Sequence, residues 1–556
     1  MYKKRITHCV LYTYFFFFIY YFQMNTYQRA EFIGIFPQWK MHSMLKAPLK
    51  MVLRILREQK DMEHMSHLRA RIFDLIEDIK PSITLPDEVI ELHLAPYLSD
   101  ATARLINLQY SQRVPIPKCL LTLKKLQTTH DLHEKLNLCA IVNGDDIGDE
   151  GCEYLSQALE QTTTVHTLDL SDNAISSKGI EALKAGLIYN TSIRSLDLRE
   201  NRLGSKGARS IATLLEKNTT LQTLLISNIN THAGGGMYLT EALEKNITLL
   251  NLDIGWNPIF LKPLILMLAG SSLRMLNISG IKLTIDNAKL LATTLETNKT
   301  IHTLNLSHMS IDDEGAVLLA NVIKVNTTIH TLDLSHNQIQ TEGTTILAKA
   351  VKQNNTLQDL NMFAYTHKIS ALLDGGMWMD ALKLNTSIHT IRLGDTSFKD
   401  DNVELLVDVL TINKTLHTLA IAYIKTNNVE MFKSFGEALK SNKTIHTLGL
   451  YVDQVEFAKQ LGESLKKNKG IHTLNIRGDD GAVEYVANAL KLNKTIHTFN
   501  VGYGYFSEAA IHSIVNMLKV NNSIHNVIIN NSNMNKDVID LLEAVRKADP
   551  RIREIL

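Results

Sequence analysis

The chain has few cysteines and little net charge, and each scarcity excludes a class of function. Its 556 residues include four cysteines, none in CxxC spacing, and carry a formal net charge of +1. Such sparse cysteines indicate neither a disulfide framework nor a zinc site, and they suit a reducing compartment. Balanced charge gives no support for a general role on nucleic acid or a membrane surface. We therefore expect no metal, no cofactor and no nucleic-acid partner.

Motifs for catalysis and nucleotide binding are missing as well. The sequence contains no GxxxxGK[ST] loop, whose backbone would cradle phosphates. No Ser-His-Asp or Cys-His set is indicated by spacing, and no carboxylate pair stands out. The sequence therefore predicts a protein that is not an enzyme.

What the chain does have is one short phrase repeated many times. Ile301–Leu306 (Ile-His-Thr-Leu-Asn-Leu) returns 28 residues later as Ile329–Leu334, with Asp in place of Asn. A fixed period of this length is typical of a solenoid. The fourth residue of each copy serves as its anchor, and the anchors are Leu168, Leu196, Leu224, Leu252, Leu276, Leu304, Leu332, Leu360, Ile391, Leu419, Leu448, Leu474, Phe499 and Val527, with a degenerate copy at Ala140.

Each repeat predicts one strand and one helix. Leu304 and Leu306 alternate with polar residues at the period of a strand, and Val317–Ile323 follows at helical spacing. Acidic residues at Asp312–Glu314 suit the helix N-terminus. Asn326 is expected to end the helix in the left-handed conformation. Stacked repeats would bury their leucines against one another, with strands inside and helices outside.

The pattern L-x-x-L-x-L-x-x-N-x-I-x-x-x-G resembles the ribonuclease-inhibitor class of leucine-rich repeats. Leu196, Leu198, Asn201, Leu203 and Gly207 carry the likeness most closely. The resemblance implies an α/β fold, a horseshoe solenoid of parallel concave strands and convex helices. The loop asparagine largely disappears after position 337, so we expect irregular strand-to-helix loops in the C-terminal half.

This reading divides the chain into four parts. We predict an apolar leader over residues 1–23, a helical N-terminal domain over 41–135, about fifteen repeats over 136–538 and a capping helix over 539–556.

Within the N-terminal domain, residues 84–110 resemble an F-box, the helical module that docks onto a Skp-type adaptor of a ubiquitin ligase. The residues that carry this likeness, and that would dock the adaptor, are Leu85, Pro86, Glu88, Tyr97 and Leu98. One extra residue separates the two halves of the motif, and the usual ending is missing. The other interpretation is a plain helical cap, which a repeat array requires at its first repeat.

The leader leaves three interpretations open. Lys3, Lys4 and Arg5 precede an apolar run from Cys9 to Phe22, which is typical of a signal peptide or a membrane anchor. The run is shorter than a spanning helix needs, and an upstream start codon explains it equally. Asn-x-Ser/Thr sequons recur at a fixed structural position from Asn190 to Asn521, which favours a structural by-product and a cytoplasmic protein.

The concave face is the expected binding surface. Its outward positions in the first half are polar to acidic: Asp169, Asp197, Arg199, Asp253, Asn277, Asn305 and Asp333. Aromatic residues follow several strands, and Trp and Tyr are enriched in interface hot spots. The predicted partner-binding residues on the concave face and rim are Trp256, Phe363, Tyr365, Tyr423, Tyr451, Tyr503 and Tyr505. The alternative is that these rings fold inward over the ends of the core.

Two further features have a functional and a structural interpretation. Histidine recurs at one repeat position and predicts a ladder of rings, which we interpret as structural because parallel side chains converge poorly on a metal. Glycine-rich segments at 233–238 and 374–378 are either binding loops or adjusted helix starts. The sequence thus predicts a protein-interaction scaffold with a protein partner; the alternatives are an F-box-like substrate receptor and a secreted effector that engages host proteins.

Overall fold

The structure is a computed structural model, and it describes the repeat array. The described residues are 135–138, 146–161, 163–363, 373–398, 400–424, 428–502, 508–530 and 552–555. The chain divides into two compact units, Met1–Lys124 and Lys125–Leu556, and all described residues belong to the second. The predicted leader and the F-box-like stretch lie outside the described residues, as does the predicted N-terminal domain apart from its last residue.

Strands and helices alternate through the second unit. The strands are β1 (Lys135–Asn137), β2 (Thr167–Asp169), β3 (Ser195–Asp197), β4 (Thr223–Leu225), β5 (Asn251–Asp253), β6 (Met275–Asn277), β7 (Thr303–Asn305), β8 (Thr331–Asp333), β9 (Asp359–Met362), β10 (Leu373–Asp374), β11 (Thr390–Phe398), β12 (Thr418–Ile424), β13 (Thr447–Val452), β14 (Thr473–Gly478), β15 (Thr498–Gly502), β16 (Asn526–Asn530) and β17 (Ile552–Ile555). The helices are α1 (Gly148–Gln161), α2 (Ser177–Ile188), α3 (Gly204–Lys217), α4 (Ala233–Lys245), α5 (Leu261–Met267), α6 (Ile285–Thr297), α7 (Asp313–Val325), α8 (Thr341–Gln353), α9 (Gly375–Leu384), α10 (Asp400–Ile412), α11 (Val429–Ser441), α12 (Val455–Leu465), α13 (Asp480–Leu490) and α14 (Glu508–Leu518). No helix among the described residues is long and apolar enough to cross a membrane.

The described strands form one parallel sheet of 17 strands. Successive strands pair in chain order, except that β9 pairs with β11, and the two-residue strand β10 pairs with the far end of β11. The register aligns the anchors: Leu304 lies opposite Leu276 on one side and Leu332 on the other. The predicted α/β solenoid of parallel strands and helices is confirmed.

The core lies between the sheet and the helices, where the anchor side chains meet. Leu168, Leu304 and Leu419 are at most 1% exposed, and burial of each such side chain contributes roughly 1.5–3 kcal/mol. The first repeat differs from the prediction, because Leu136 and not Ala140 pairs with Leu168. The register of β1 therefore places the first anchor four residues earlier than the 28-residue period does.

The asparagine before most copies of the phrase ends the helix differently from the prediction. Asn326 has φ −75° and ψ 129°, which is extended backbone and not the left-handed conformation. Its side chain explains the preference for asparagine: Nδ2 donates to the carbonyls of Leu295 and Asn298 in the preceding repeat, at 2.6 and 3.2 Å. Its Oδ1 accepts from the backbone N–H groups of Thr328 and Ile329, both at 2.8 Å. Asparagine is needed because one side chain must donate and accept at once.

A second asparagine ladder follows the strands of the first half. Asn201 is 2% exposed, and its Nδ2 donates to the carbonyls of Leu170 and Leu198, both at 2.9 Å. Its Oδ1 accepts from the N–H groups of Asn173 and Ile175. Strands β2 to β8 have three residues each, including β4, β6 and β7, whose turns carry Ile229, Ile281 and Met309 in place of the asparagine. From β11 to β16, beyond the last of these asparagines, the strands run for five to nine residues, and β11 and β12 contain register shifts. The predicted irregularity of the C-terminal half takes the form of longer, bulged strands.

Acidic residues cap the helices as expected. Asp312 caps its own helix, and Asp313 caps the helix of the next repeat. Asp312 accepts from the N–H of Gly315 at 3.0 Å, so it caps α7. Asp313, in the first turn of α7, accepts from the N–H groups of Gln340 and Gly343 at the start of α8. A carboxylate there satisfies free N–H groups and the positive end of the helix dipole together.

The two glycine-rich segments begin helices. Residues 233–238 lie in the first turns of α4, and 375–378 begin α9. A Cβ built on Gly235 would lie 2.9 Å from the Cα of Ser205, so glycine allows α3 and α4 to pack closely. The interpretation as adjusted helix starts is confirmed.

The end of the chain differs from the predicted capping helix. Residues 552–555 form β17, which pairs with β16 in parallel, so the helix prediction is wrong for these four residues. Residues 539–551 of the predicted helix lie outside the described residues. Without β17 the edge of β16 would offer unpaired backbone groups, and a short strand satisfies these groups where a helix would not.

Candidate functional site

One position of the repeat has a left-handed backbone throughout the first half of the array. It follows the end of each strand, and its occupants are Asp172, Glu200, Asn228, Trp256, Gly280, His308 and His336, with φ between 52° and 72°. The backbone N–H at this position donates to a carbonyl of the next repeat, as Trp256 does to Ser279 at 2.7 Å. Asp, Asn and His adopt left-handed backbone more readily than other residues, so Trp256 is the unusual occupant of this position.

Trp256, His308 and His336 form a contiguous row, here called the aromatic rim. A Cβ added to Gly280 would lie 2.4 Å from Cδ2 of Trp256, so the indole lies over this glycine. The indole reaches His308, with ring centroids 5.0 Å apart, and His308 stacks on His336 at 4.3 Å. Trp256 is 52% exposed, so much of its ring faces solvent. The predicted site residue Trp256 therefore lies on the rim and does not fold into the core.

The electrostatics of the aromatic rim favour a neutral ring at His308. Burial lowers the pKa of His308, the neighbouring ring of His336 lowers it further, and the carboxylate of Asp333 opposes the shift. A neutral imidazole stacks without the repulsion that two charged rings would have. The rim thus offers a mainly apolar strip with polar ring edges.

A second aromatic group lies on the concave face of the C-terminal half. Phe363 follows β9, and the guanidinium of Arg477 in β14 lies 4.8 Å from the centre of its ring. In register, Tyr451 pairs with Arg477 on one side and with Tyr423 on the other. We call Phe363, Tyr451 and Arg477 the concave cluster. The sheet must be concave here, since β9 and β14 are four strand spacings apart.

Beside the concave cluster, the concave face of the sheet carries small side chains. Ala420 and Gly449 occupy paired positions on β12 and β13, and a Cβ on Gly449 would lie 3.0 Å from that of Ala420. Small side chains at these outward positions leave room above the sheet between Phe363 and Arg477. A partner's side chain fits such a recess better than a flat surface.

The acidic positions of the first half have a structural task. Asp197 and Asp253 are each 6% exposed, and their carboxylates accept from the backbone N–H groups of Arg199 and Gly255 two residues on. Asp197 also pairs with Arg199 at 2.6 Å. Burial raises the pKa of Asp253, while the Gly255 N–H and Arg199 oppose the shift. These carboxylates stabilise the strand ends and are only partly available to a partner.

The histidine ladder is present at the edge where the chain enters the strands. Ring centroids of successive histidines from His389 to His525 are 5.0–5.8 Å apart. His302 and His330 form a separate pair at 5.4 Å. Nδ1 of His302 donates to the carbonyl of Thr300 at 2.6 Å, and His389 contacts Ser387 likewise at 2.7 Å. Most of these contacts are to the carbonyl two residues earlier, and His497 instead contacts the carbonyl of Ser523 in the next repeat, so the rings bond nearby backbone. Among the described residues, no group of three or more His, Cys, Asp or Glu side chains could hold a metal ion.

The predicted partner-binding residues are thus only partly placed. Trp256 lies on the aromatic rim, and Phe363 and Tyr451 belong to the concave cluster. Tyr423 is placed through its backbone register alone. Tyr365, Tyr503 and Tyr505 lie outside the described residues.

Three contributors were missed by sequence reasoning, namely His308, His336 and Arg477. A signal for the histidines was available, because Ser307-His308 and Ser335-His336 occupy the repeat position of Trp256. Aligning the repeats at the position after each strand would have placed the rings of Trp256, His308 and His336 in one row.

Comparison with known proteins supports the repeat assignment. The family described as Leucine Rich repeat matches residues 161–184, 189–212, 297–320 and 325–345. No curated protein matches the chain. Matching solved structures comprise 115 chains. One is leiomodin-1 actin-binding site 2, which is 27% identical over 24% of this chain and 76% of that chain, with a TM-score of 0.22. Together with the parallel sheet of strand–helix units, the matched repeats identify the array as a leucine-rich-repeat solenoid.

Proposed function

We propose that the chain is a protein-interaction scaffold that binds a protein partner through the aromatic rim and the concave cluster. The observation that carries the proposal is the indole of Trp256, half exposed and held on left-handed backbone against His308. Among the described residues, the other tryptophan, Trp378, is fully buried. An exposed, immobilised Trp loses little entropy when it contacts a partner, which is typical of interface anchors.

The concave cluster supports the same proposal. Tyr451 and Phe363 supply rings, and Arg477 supplies a cation that contacts the face of Phe363. Tyr, Trp and Arg are the residue types that contribute most to protein interfaces. A preformed sheet presents all of them without rearrangement, so binding costs little ordering of the scaffold.

Affinity purification of the full chain from its native cells, followed by mass spectrometry, tests the proposal. Partners recovered with the wild type are expected to be lost with the double variant Trp256→Ala and Tyr451→Ala. Tyr189→Ala is the matched control, because Tyr189 is an aromatic residue 83% exposed at the end of α2. Unchanged recovery with the folded double variant would contradict the proposal, and so would an equal loss with the control.

The finer alternatives rest on sequence resemblance. A substrate receptor would use Leu85, Pro86, Glu88, Tyr97 and Leu98 to dock a Skp-type adaptor. Binding of a purified adaptor to the full chain, compared with Leu85→Ala combined with Pro86→Ala, tests that role. A secreted effector would lose residues of the leader 1–23, and mass spectrometry of the mature N-terminus tests that. The ribonuclease-inhibitor subtype and the cytoplasmic location stay predictions on the same footing.

A further inference from the structure

The edge where the chain enters the strands changes character in the C-terminal repeats. The residue that follows the helix-ending asparagine is Thr191, Thr219, Ile247, Thr327, Asn355 or Thr386 in most earlier repeats, with Lys299 as an exception. In the four consecutive later repeats it is Lys414, Lys443, Lys469 and Lys494, here called the lysine row. All four lysines are exposed. The fold needs no lysine at this position, because the earlier repeats form the same turn without one.

Hydrogen bonds place the lysine row in register. Nδ2 of Asn468 donates to the carbonyl of Asn442 at 3.1 Å, and Nδ2 of Asn493 donates to that of Asn468 at 3.2 Å. Lys443, Lys469 and Lys494 directly follow these asparagines, and Lys414 directly follows the equivalent Asn413. A Cβ on Gly470 would lie 2.9 Å from the Cα of Lys443, which shows how closely successive turns stack. The row is therefore a line of cations, one per repeat.

Within the part of the chain that the structure describes, no lysine of the row forms an ion pair. Nζ of Lys414 donates to the carbonyl of Thr411 at 2.6 Å. On the neighbouring helix ends, by contrast, Lys440 pairs with Glu437 at 2.9 Å and Lys466 pairs with Glu463 at 2.5 Å. The carboxylates of those helix ends are thus engaged with other lysines. The positive charges of the lysine row are therefore available to bind a ligand.

The part of the histidine ladder from His389 to His525, here called the histidine row, lies beside the lysine row. In each repeat that has both, the histidine follows the lysine by three residues. Each of the four repeats that carry the lysine row also carries a histidine of this row, namely His417, His446, His472 or His497. The lysines supply the positive charge of this edge, and the histidine rings lie next to one another beside them.

We propose that this basic edge binds an acidic, extended polypeptide segment of a partner protein. Side chains on one face of an extended chain recur at roughly 6.6–6.8 Å, whereas neighbouring strands lie about 4.7–4.9 Å apart. The flexible lysine side chains can span this difference. The edge is a narrow line and not a broad patch, so it fits one chain better than a membrane surface.

A single-stranded nucleic acid fits less well than a peptide. Its bases stack on open aromatic faces. Successive rings of the histidine row are only 5.0–5.8 Å apart, which leaves no room for a base between them. The concave sheet is not needed for this contact, so the inference stands apart from the proposed function.

Fluorescence anisotropy of a labelled oligoglutamate peptide with the full chain tests the inference. We expect binding that weakens with added salt, and the triple variant Lys443→Glu, Lys469→Glu and Lys494→Glu should weaken it about tenfold or more. The control variant Lys217→Glu, Lys262→Glu and Lys349→Glu changes the net charge equally at exposed positions elsewhere. It should change affinity by no more than about twofold.

Further measurements keep the inference falsifiable. The triple variant to glutamine serves if charge reversal impairs folding, and it should weaken binding in the same direction. The double variant Trp256→Ala and Tyr451→Ala should bind the peptide as the wild type does, which separates this edge from the concave partner. Equal losses in the lysine-row and control variants would overturn the inference. So would tighter binding of single-stranded DNA of equal charge, or of phosphatidylserine vesicles, than of the peptide.

Discussion

At the scale of single residues, asparagine does most to join one repeat to the next. Asn326 and Asn201 stand at different turns, yet each donates to a carbonyl of the preceding repeat and accepts two N–H groups of a nearby turn. Aspartate lacks the donor and alanine lacks both. The sequons at this repeat position therefore follow from the need for Asn together with a hydroxyl residue two positions on, such as Thr328, which hydrogen-bonds within the same turn.

Replacement of Asn326 by alanine should destabilise the array measurably. The substitution leaves buried groups of Leu295, Thr328 and Ile329 without their partner, at a cost of about 3 kcal/mol. Urea denaturation followed by circular dichroism measures the change. Thr327→Ala, at the exposed next residue, is the control and should cost less than about 0.5 kcal/mol. A smaller loss at Asn326 than at Thr327 would contradict this account.

Two histidines should make stability depend on pH. Burial lowers the pKa of His446, with His417 and His472 adding to the shift, and burial also lowers the pKa of His308. A lowered folded pKa means that the unfolded chain binds more protons near the ordinary histidine value of about 6.5, so stability falls as pH drops through that range.

Thermal unfolding between pH 8 and pH 5.5 measures this dependence. The melting temperature should fall on acidification, and the double variant His308→Gln and His446→Gln should show a shallower fall. A melting temperature that rises on acidification, or an unchanged slope in the variant, would refute the assignment.

At the scale of elements, the turn after each strand separates the two halves of the array. In β2 to β8 the strand stops after three residues and a left-handed residue follows, both in repeats with the loop asparagine and in those with Ile229, Ile281 or Met309 in its place. From β11 onward the strands are longer, and Tyr451 and Arg477 gain positions on the concave face. The longer strands thus create surface for binding residues.

The sequence predicted the repeat units because leucine spacing reports burial directly, as Leu304 and Leu306 show. It failed at the first anchor, Leu136, because the interval there departs from the common period. It also failed for β17, since the four residues pair only because β16 offers an open edge. The contact between Phe363 and Arg477 was beyond sequence reasoning, because residues 114 positions apart meet only through the register and curvature of the sheet.

Substitution of Gly280 tests the position of the Trp256 ring in the aromatic rim. Gly280→Ala places a Cβ against the indole of Trp256 at a residue with φ 72°, so the ring must move away from His308. We expect a changed tryptophan emission spectrum and a loss of about 1–2 kcal/mol in stability. The other two tryptophans, the fully buried Trp378 and Trp39 outside the described residues, should contribute equally to both spectra.

Gly234→Ala is the control for this substitution, because no atom lies within 4 Å of its added Cβ. Its emission spectrum should match that of the wild type. An unchanged spectrum in Gly280→Ala would show that the indole does not lie over this glycine.

At the scale of the whole array, stability passes only between neighbours. Each strand pairs with the strands on either side, so a defect in one repeat weakens adjacent repeats more than distant ones. Leu304 is 1% exposed and lies between Leu276 and Leu332 in register. This repeat is therefore a suitable place to measure how far a local defect travels.

Leu304→Ala should cost about 3 kcal/mol, through lost burial and the cavity that remains. Native-state hydrogen exchange should show reduced protection in β6, β7 and β8 and unchanged protection in β15. Thr303→Ala, a partly exposed neighbour in the same strand, is the control. A uniform loss of protection from β2 to β16 would mean that the array unfolds as a single cooperative unit.

The asparagine ladder also bears on how such a chain changes length over generations. Except where Gly270 replaces the asparagine, each repeat from Asn190 to Asn521 meets its predecessor with the same amide and offers its successor the same carbonyls, so duplication of such a unit creates a junction like those already present. A gene can therefore gain or lose one unit without a compensating substitution. The lysine and histidine rows would lengthen by one member at each duplication in that region, so their reach along an acidic segment is set by copy number.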